Sequence, residues 1–151
     1  MVKVNGYDFP DDLLYNKHSL WTRIDGENIA SVGITDMATK NLEEVTYIDI
    51  IFEEGETIKI NRPFGTIESG KGSVTLYSAI TGELVEINEE LQDKVNLLKD
   101  DCYGKGWLVK VKPSKLDEDK EILMKPGTEK LENWVKDEIA RIKKIEEESK
   151  E

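Results

Sequence analysis

Glu68-Ser69-Gly70-Lys71-Gly72-Ser73 sets a lysine between two glycines, with strand-like segments on either side, Phe64 to Ser69 and Val74 to Ser78. Glycine lacks a Cβ and takes positive φ without a clash, so this pair suits a tight reversal between antiparallel strands. The expected product is a hairpin that holds Lys71 out at its tip, open to covalent modification. Gly55 upstream and Gly82 downstream frame it, each placed where a strand is expected to turn. The stretches they open, Gly55-Glu56-Thr57-Ile58-Lys59-Ile60 and Gly82-Glu83-Leu84-Val85-Glu86-Ile87, are alike, a weak internal repeat of two β halves meeting at the lysine. Taken alone, Gly-Lys-Gly is more often a plain solvated turn, so the framing residues carry the reading.

Working outward, Leu20 to Lys112 reads as short β segments stopped by Asp25-Gly26, Gly55, Gly65, Gly82 and Gly104. Val45 to Phe52 is β-branched and aromatic enough for a central strand, and Gly106 to Val111 alternates with a period of two. A short helix is expected over 35–42, capped by Thr35, with Met37, Ala38 and Leu42 on its apolar side. After Pro113 the periodicity becomes helical. Leu116 to Met124 predicts one helix, Pro126-Gly127 interrupts, and a second starts at Thr128. In the second, Leu131, Trp134, Val135, Ile139, Ile142 and Ile145 form one stripe expected to pack on the β core, while Glu146 to Glu151 reads as a frayed, solvated end. The organisation expected is an N-terminal segment (1–19), a β barrel (20–112) and a helical extension (113–151) of the same domain.

The 151 residues suffice for one domain with a real core. A net charge of −11 argues against nucleic acid, whose binding relies on clustered Lys and Arg. No apolar stretch approaches the ~20 residues of a membrane span, and Met1 to Pro10 lacks the regions of a signal peptide, so a cytoplasmic location is expected. One cysteine, Cys102, and one histidine, His18, cannot build a disulfide, a zinc site or a usual triad. An independent enzyme is not expected. His18 reads as packing or solvent-facing, and Cys102, beside Asp100 and Asp101, as a small buried residue rather than a reactive thiol.

Five motifs in register, Val32-Gly33-Ile34-Thr35, Glu68-Ser69-x-Lys71, Tyr77-Ser78-x-x-x-Gly82-Glu83, Val85-x-x-Asn88 and Tyr103-Gly104-x-Gly106-Trp107, resemble the glycine cleavage system H-protein family, within the lipoyl and biotinyl carrier domains. The resemblance runs from about Tyr15 to Val111. It implies a mainly β fold, a flattened hybrid barrel-sandwich of hammerhead type with C-terminal helices. It implies lipoic acid in amide linkage to Lys71, with Glu68, Ser69, Gly70 and Gly72 as the lipoylation motif. Biotin is disfavoured because glycines, not methionines, flank the lysine. The implied role is a carrier, with a lipoate-attaching enzyme, glycine decarboxylase, aminomethyltransferase and dihydrolipoyl dehydrogenase as partners. The chain departs from the family at Lys17-His18-Ser19-Leu20-Trp21, where acidic residues are usual, and in having Gly70 and Gly72 where valine and alanine are usual. The Glu68-Ser69-Gly70-Lys71 form, with the opening Gly6 to Tyr15, also resembles lipoate-binding proteins of the sulfur-oxidising heterodisulfide-reductase-like system, which makes sulfur-pathway enzymes the alternative partners. An unmodified interaction module is the alternative of another class.

Overall fold

The computed structural model describes residues 2–70 and 72–149, so Lys71 lies outside the described residues. The chain opens with a hairpin, β1 (Val2–Val4) and β2 (Tyr7–Phe9), whose turn places Asn5 and Gly6 at positive φ. Then follow β3 (Leu14–Tyr15), β4 (Leu20–Gly26), β5 (Ile29–Ile34), α1 (Asp36–Lys40), β6 (Val45–Ile50), β7 (Thr57–Ile58), β8 (Pro63–Ser69), β9 (Gly72–Tyr77) and β10 (Gly82–Ile87). Two single-turn helices, α2 (Glu90–Asp93) and α3 (Leu97–Asp100), lead to β11 (Val109–Pro113), α4 (Leu116–Ile122) and α5 (Glu129–Ser149).

Six strands form an antiparallel sheet in the order β3-β4-β5-β11-β10-β7, and three form a second in the order β6-β8-β9. Their inner faces share one core. Leu20, Val32, Ile34, Leu84 and Val111 come from the large sheet, and Val45, Ile48, Phe64, Ile67 and Leu76 from the small one. This is a barrel-sandwich with helices at the C-terminal end. Each fully buried aliphatic side chain contributes roughly 1.5–3 kcal/mol, so this double layer is the main source of stability.

A second core lies on the far side of the large sheet. Leu20 joins the first cluster and its neighbour Trp21 the second, because successive side chains on β4 point to opposite faces. Trp21 shares that core with Phe9, Tyr15, Met37, Leu131 and Val135. The α5 stripe therefore packs over the N-terminal hairpin and the back of β4, not over the barrel interior. It ends before Ile145, which is 50% exposed. The helix nevertheless runs on through Ser149, so the frayed end expected from Glu146 is helical as far as the described residues reach. Glutamate and lysine are good helix formers and keep the helix going without apolar anchors.

Thr35 caps α1 as expected, its side chain accepting from the Ala38 N–H. Other expectations are corrected. Val45–Ile50 is an edge strand rather than a central one, because β8 pairs with β6 on one side and β9 on the other. Its β-branched composition reflects a half-buried pleat, not its place in the sheet. Gly65 is no stop but lies inside β8 at a bulge, where a Cβ would sit 2.5 Å from the Asp49 carbonyl oxygen. The two repeat stretches are sheet neighbours. Gly82 pairs with Ile58 and Glu83 with Thr57, and Gly55 N–H donates to the Leu84 carbonyl at 2.8 Å.

Candidate functional site

The β8–β9 ladder runs Ile67–Val74, Glu68–Ser73, Ser69–Gly72, so pairing continues to the very end of the hairpin. Gly72 takes φ +119°, and a Cβ there would meet nothing within 4 Å. It needs to be glycine for conformation, not for space. Gly70 does not have positive φ, and a Cβ there would lie 2.6 Å from a Glu43 carboxylate oxygen. The third strand continues to the end of the hairpin: Val45 pairs with Ser69, and Gly70 N–H donates to the Glu44 carbonyl at 3.1 Å.

Side chains tighten the same end. Ser69 Oγ donates to the Gly72 carbonyl at 3.2 Å, and Ser73 Oγ donates to Glu68 Oε1 at 2.8 Å. Beneath them Val45, Ile48, Ile67 and Leu76 are buried, so the exposed end stands on a packed root. A functional group presented there is held by strands rather than by a mobile loop. At the other end of the hairpin, Asn16 Nδ2 donates to the Tyr77 and Ser78 carbonyls, both at 3.0 Å. The Lys71 expectation itself falls on a residue outside the described set.

The remaining motif residues build the frame. A Cβ on Gly33 would lie 2.5 Å from the Trp21 ring, so only glycine leaves room for the indole, whose Nε1 donates to the Cys102 carbonyl at 3.0 Å. Ser78 Oγ donates to the Ile80 carbonyl. Gly82 opens β10 instead of turning the chain, and a Cβ there would meet the Lys112 carbonyl oxygen at 2.2 Å. Gly55, with φ +95°, does sit in a turn. Asn88 Nδ2 donates to the Lys105 and Trp107 carbonyls, and a Cβ on Gly106 would meet the Leu97 carbonyl oxygen at 2.4 Å. Tyr103 Oη donates to the Asp8 carbonyl and accepts from Asp36 N–H.

His18 stacks on Tyr77 with ring centroids 4.0 Å apart, and burial together with the Lys17 charge lowers its pKa. Cys102 is buried, and loss of solvation, helped by Asp36, pushes its thiol up to about 12. Both fit the packing roles expected for them. Two structural carboxylates were not legible locally. Asp119 is buried and accepts from Thr81 N–H at 2.7 Å, tying α4 to the strand entrance at Gly82. Desolvation raises its pKa despite that bond. Asp25 accepts from Ser31 and from Arg23 Nε. Asn16 carried a signal that went unused, since Asn followed by a histidine N–H two residues on is an Asx turn.

The glycine cleavage H-protein family model matches residues 13–138, a span that contains all five motifs. A glycine cleavage system H protein of Carboxydothermus hydrogenoformans is 39% identical over 122 residues, covering 81% of this chain and 92% of that one. A probable glycine cleavage system H protein 1 of Saccharolobus solfataricus is 36% identical over 125 residues, covering 83% of this chain and 90% of that one. The crystal structure of a glycine cleavage system H protein from Mycobacterium marinum superposes with a TM-score of 0.64 at 29% identity, over 70% of this chain and 87% of that one. With the barrel-sandwich, the hairpin and the motif glycines in place, the chain belongs to the glycine cleavage H-protein family.

Proposed function

We propose that this protein is the lipoyl carrier of a glycine cleavage system, with lipoic acid attached through an amide to Lys71. The observation that carries the reading is the braced, exposed hairpin end at Ser69–Gly72, in a chain of the H-protein family. The neighbours of Lys71 suit such a group. Ser69, Ser73 and Glu68 bond to the hairpin itself, Gly72 leaves open space, and a buried apolar root anchors the strands below. The lipoyl group, when bound, supplies a ring disulfide that takes up an aminomethyl group together with two electrons. The chain's own part is to tether and present, which needs no catalytic side chain from the protein. Glu68, three positions before the lysine, offers the attaching enzyme a carboxylate held in place by Ser73.

The implied partners are the lipoate-attaching enzyme, glycine decarboxylase, aminomethyltransferase and dihydrolipoyl dehydrogenase. The names borne by the relatives favour glycine cleavage over the sulfur pathway and over an unmodified module. Among the described residues no helix is long and apolar enough to cross a membrane, in keeping with a cytoplasmic carrier. The test is intact-mass measurement after incubation with a lipoate-attaching enzyme, ATP and lipoate. Wild type should gain one lipoyl mass and Lys71→Arg none. Modified protein should then be loaded in a glycine-dependent reaction with glycine decarboxylase. Loading from a sulfur donor alone would refute the glycine assignment, and an adduct retained in Lys71→Arg would refute the attachment site.

A further inference from the structure

We propose that the outward face of the three-stranded sheet, centred on Tyr47, is the seat of the enzyme that acylates Lys71, and that this enzyme meets it with a basic surface. The inference rests on the Lys71 reading above. Tyr47 stands opposite Glu68, which stands opposite Ser73, and this row lies one ladder pair back from Ser69–Gly72. Tyr47 is 51% exposed, and its hydroxyl bonds to no described residue. Asp49 follows on the same face, opposite Thr66 and Thr75, and the exposed Ile51 continues it. An amphipathic aromatic ring flanked by an exposed aliphatic and an acid is the composition of an interface centre with a charged rim.

Charge narrows the occupant. From Glu43 to Ile51, the stretch that holds β6, there are three acidic residues, Glu43, Glu44 and Asp49, and no basic one, and the paired strand adds Glu68. Nucleic acid and anionic lipid are repelled by such a run, whereas a basic protein surface is steered to it. Geometry narrows it further. An enzyme that acylates the bare lysine has to come within reach of a four-carbon stem, so it must rest on the hairpin walls. Partners that act after attachment meet the far end of a long arm and have no such constraint.

Tyr47→Ala and Asp49→Lys change exposed side chains and leave the buried face of β6 intact. Glu147→Lys, on the exposed side of α5, makes the same charge change far along the chain and serves as the control. Initial rates of lipoyl attachment are measured by intact mass at several salt concentrations. The expected result is a rise of about tenfold or more in KM for Tyr47→Ala and Asp49→Lys, with wild-type kinetics for Glu147→Lys. Added salt should raise the wild-type KM and affect Asp49→Lys much less. If wild type gains no lipoyl mass, the Lys71 reading itself fails. If wild type is modified and both face variants match Glu147→Lys, the seat is refuted while Lys71 stands. If attachment is normal but the modified variants are reduced slowly by dihydrolipoyl dehydrogenase, the face belongs to that enzyme and this assignment is wrong.

Discussion

Replacing Gly82 by alanine adds one methyl group in a place where no adjustment is small. The new Cβ would lie 2.2 Å from the Lys112 carbonyl oxygen, 2.8 Å from the Lys112 carbonyl carbon and 2.8 Å from Val111 Cγ1. The first two are backbone atoms of β11, and Gly82 is paired on both sides, with Pro113 of β11 and Ile58 of β7. Relief requires prising β10 from β11. Overpacking of this kind costs about 1–3 kcal/mol. One or two ladder hydrogen bonds lengthened in the process add about 1 kcal/mol each. The sum is about 2–5 kcal/mol, a large share of the stability typical of a domain, about 5–15 kcal/mol. Thermal unfolding should fall by about 10 °C, and the urea midpoint by about 1–2.5 M. The comparison is Gly72→Ala, the same chemical change in open space, where only the positive φ resists it at about 1–2 kcal/mol. Urea titrations of wild type and both variants, followed by circular dichroism, give the order. If Gly82→Ala unfolds at the same or higher urea than Gly72→Ala, close backbone approach is not what selects glycine at 82.

The remaining expectations concern charge and thiol chemistry. Partial burial pushes the Asp25 carboxyl up, but hydrogen bonds from Ser31 and Arg23 outweigh it and hold the group below its usual range. A carboxyl lowered in the folded state stabilises it above the ordinary carboxylate pKa and loses that contribution as pH falls through the folded value. Asp25→Asn should therefore have a lower urea midpoint than wild type at pH 7, with the gap closing as pH falls below the ordinary carboxylate range and through the lowered folded value. A gap that persists in acid would show the loss to be packing. Cys102, with its thiol pushed up to about 12, presents about one thiolate in ten thousand at pH 8 and is shielded as well. Iodoacetamide should leave native protein unlabelled and add one mass in denaturant. Rapid native labelling would show Cys102 to be a reactive thiol rather than a packed one.

Sequence patterns of short range were read correctly where one residue acts on its near neighbours. Thr35 caps the helix three residues on, the glycine-flanked hairpin runs between Phe64 and Tyr77, and the apolar stripe of α5 reaches from Leu131 to Ile139. The five motifs sufficed for the family because their spacing is a property of the chain itself. Why those residues stand there was not legible. Gly33 is covered by Trp21, Gly82 by the Lys112 carbonyl and Gly106 by the Leu97 carbonyl, contacts between atoms 12, 30 and 9 positions apart. A glycine demanded by φ is visible from its own dihedral preference, whereas one demanded by close approach depends on which strands pair. Likewise Val45–Ile50 showed its strand character but not its edge position, and Asp119 gave no hint of capping Thr81. The local backbone preferences and the glycine-flanked hairpin were written in the chain order. The order of strands across the sheets, and with it the outward face beside that hairpin, arose only when distant segments packed, because pairing energy is shared between residues that no local window contains together.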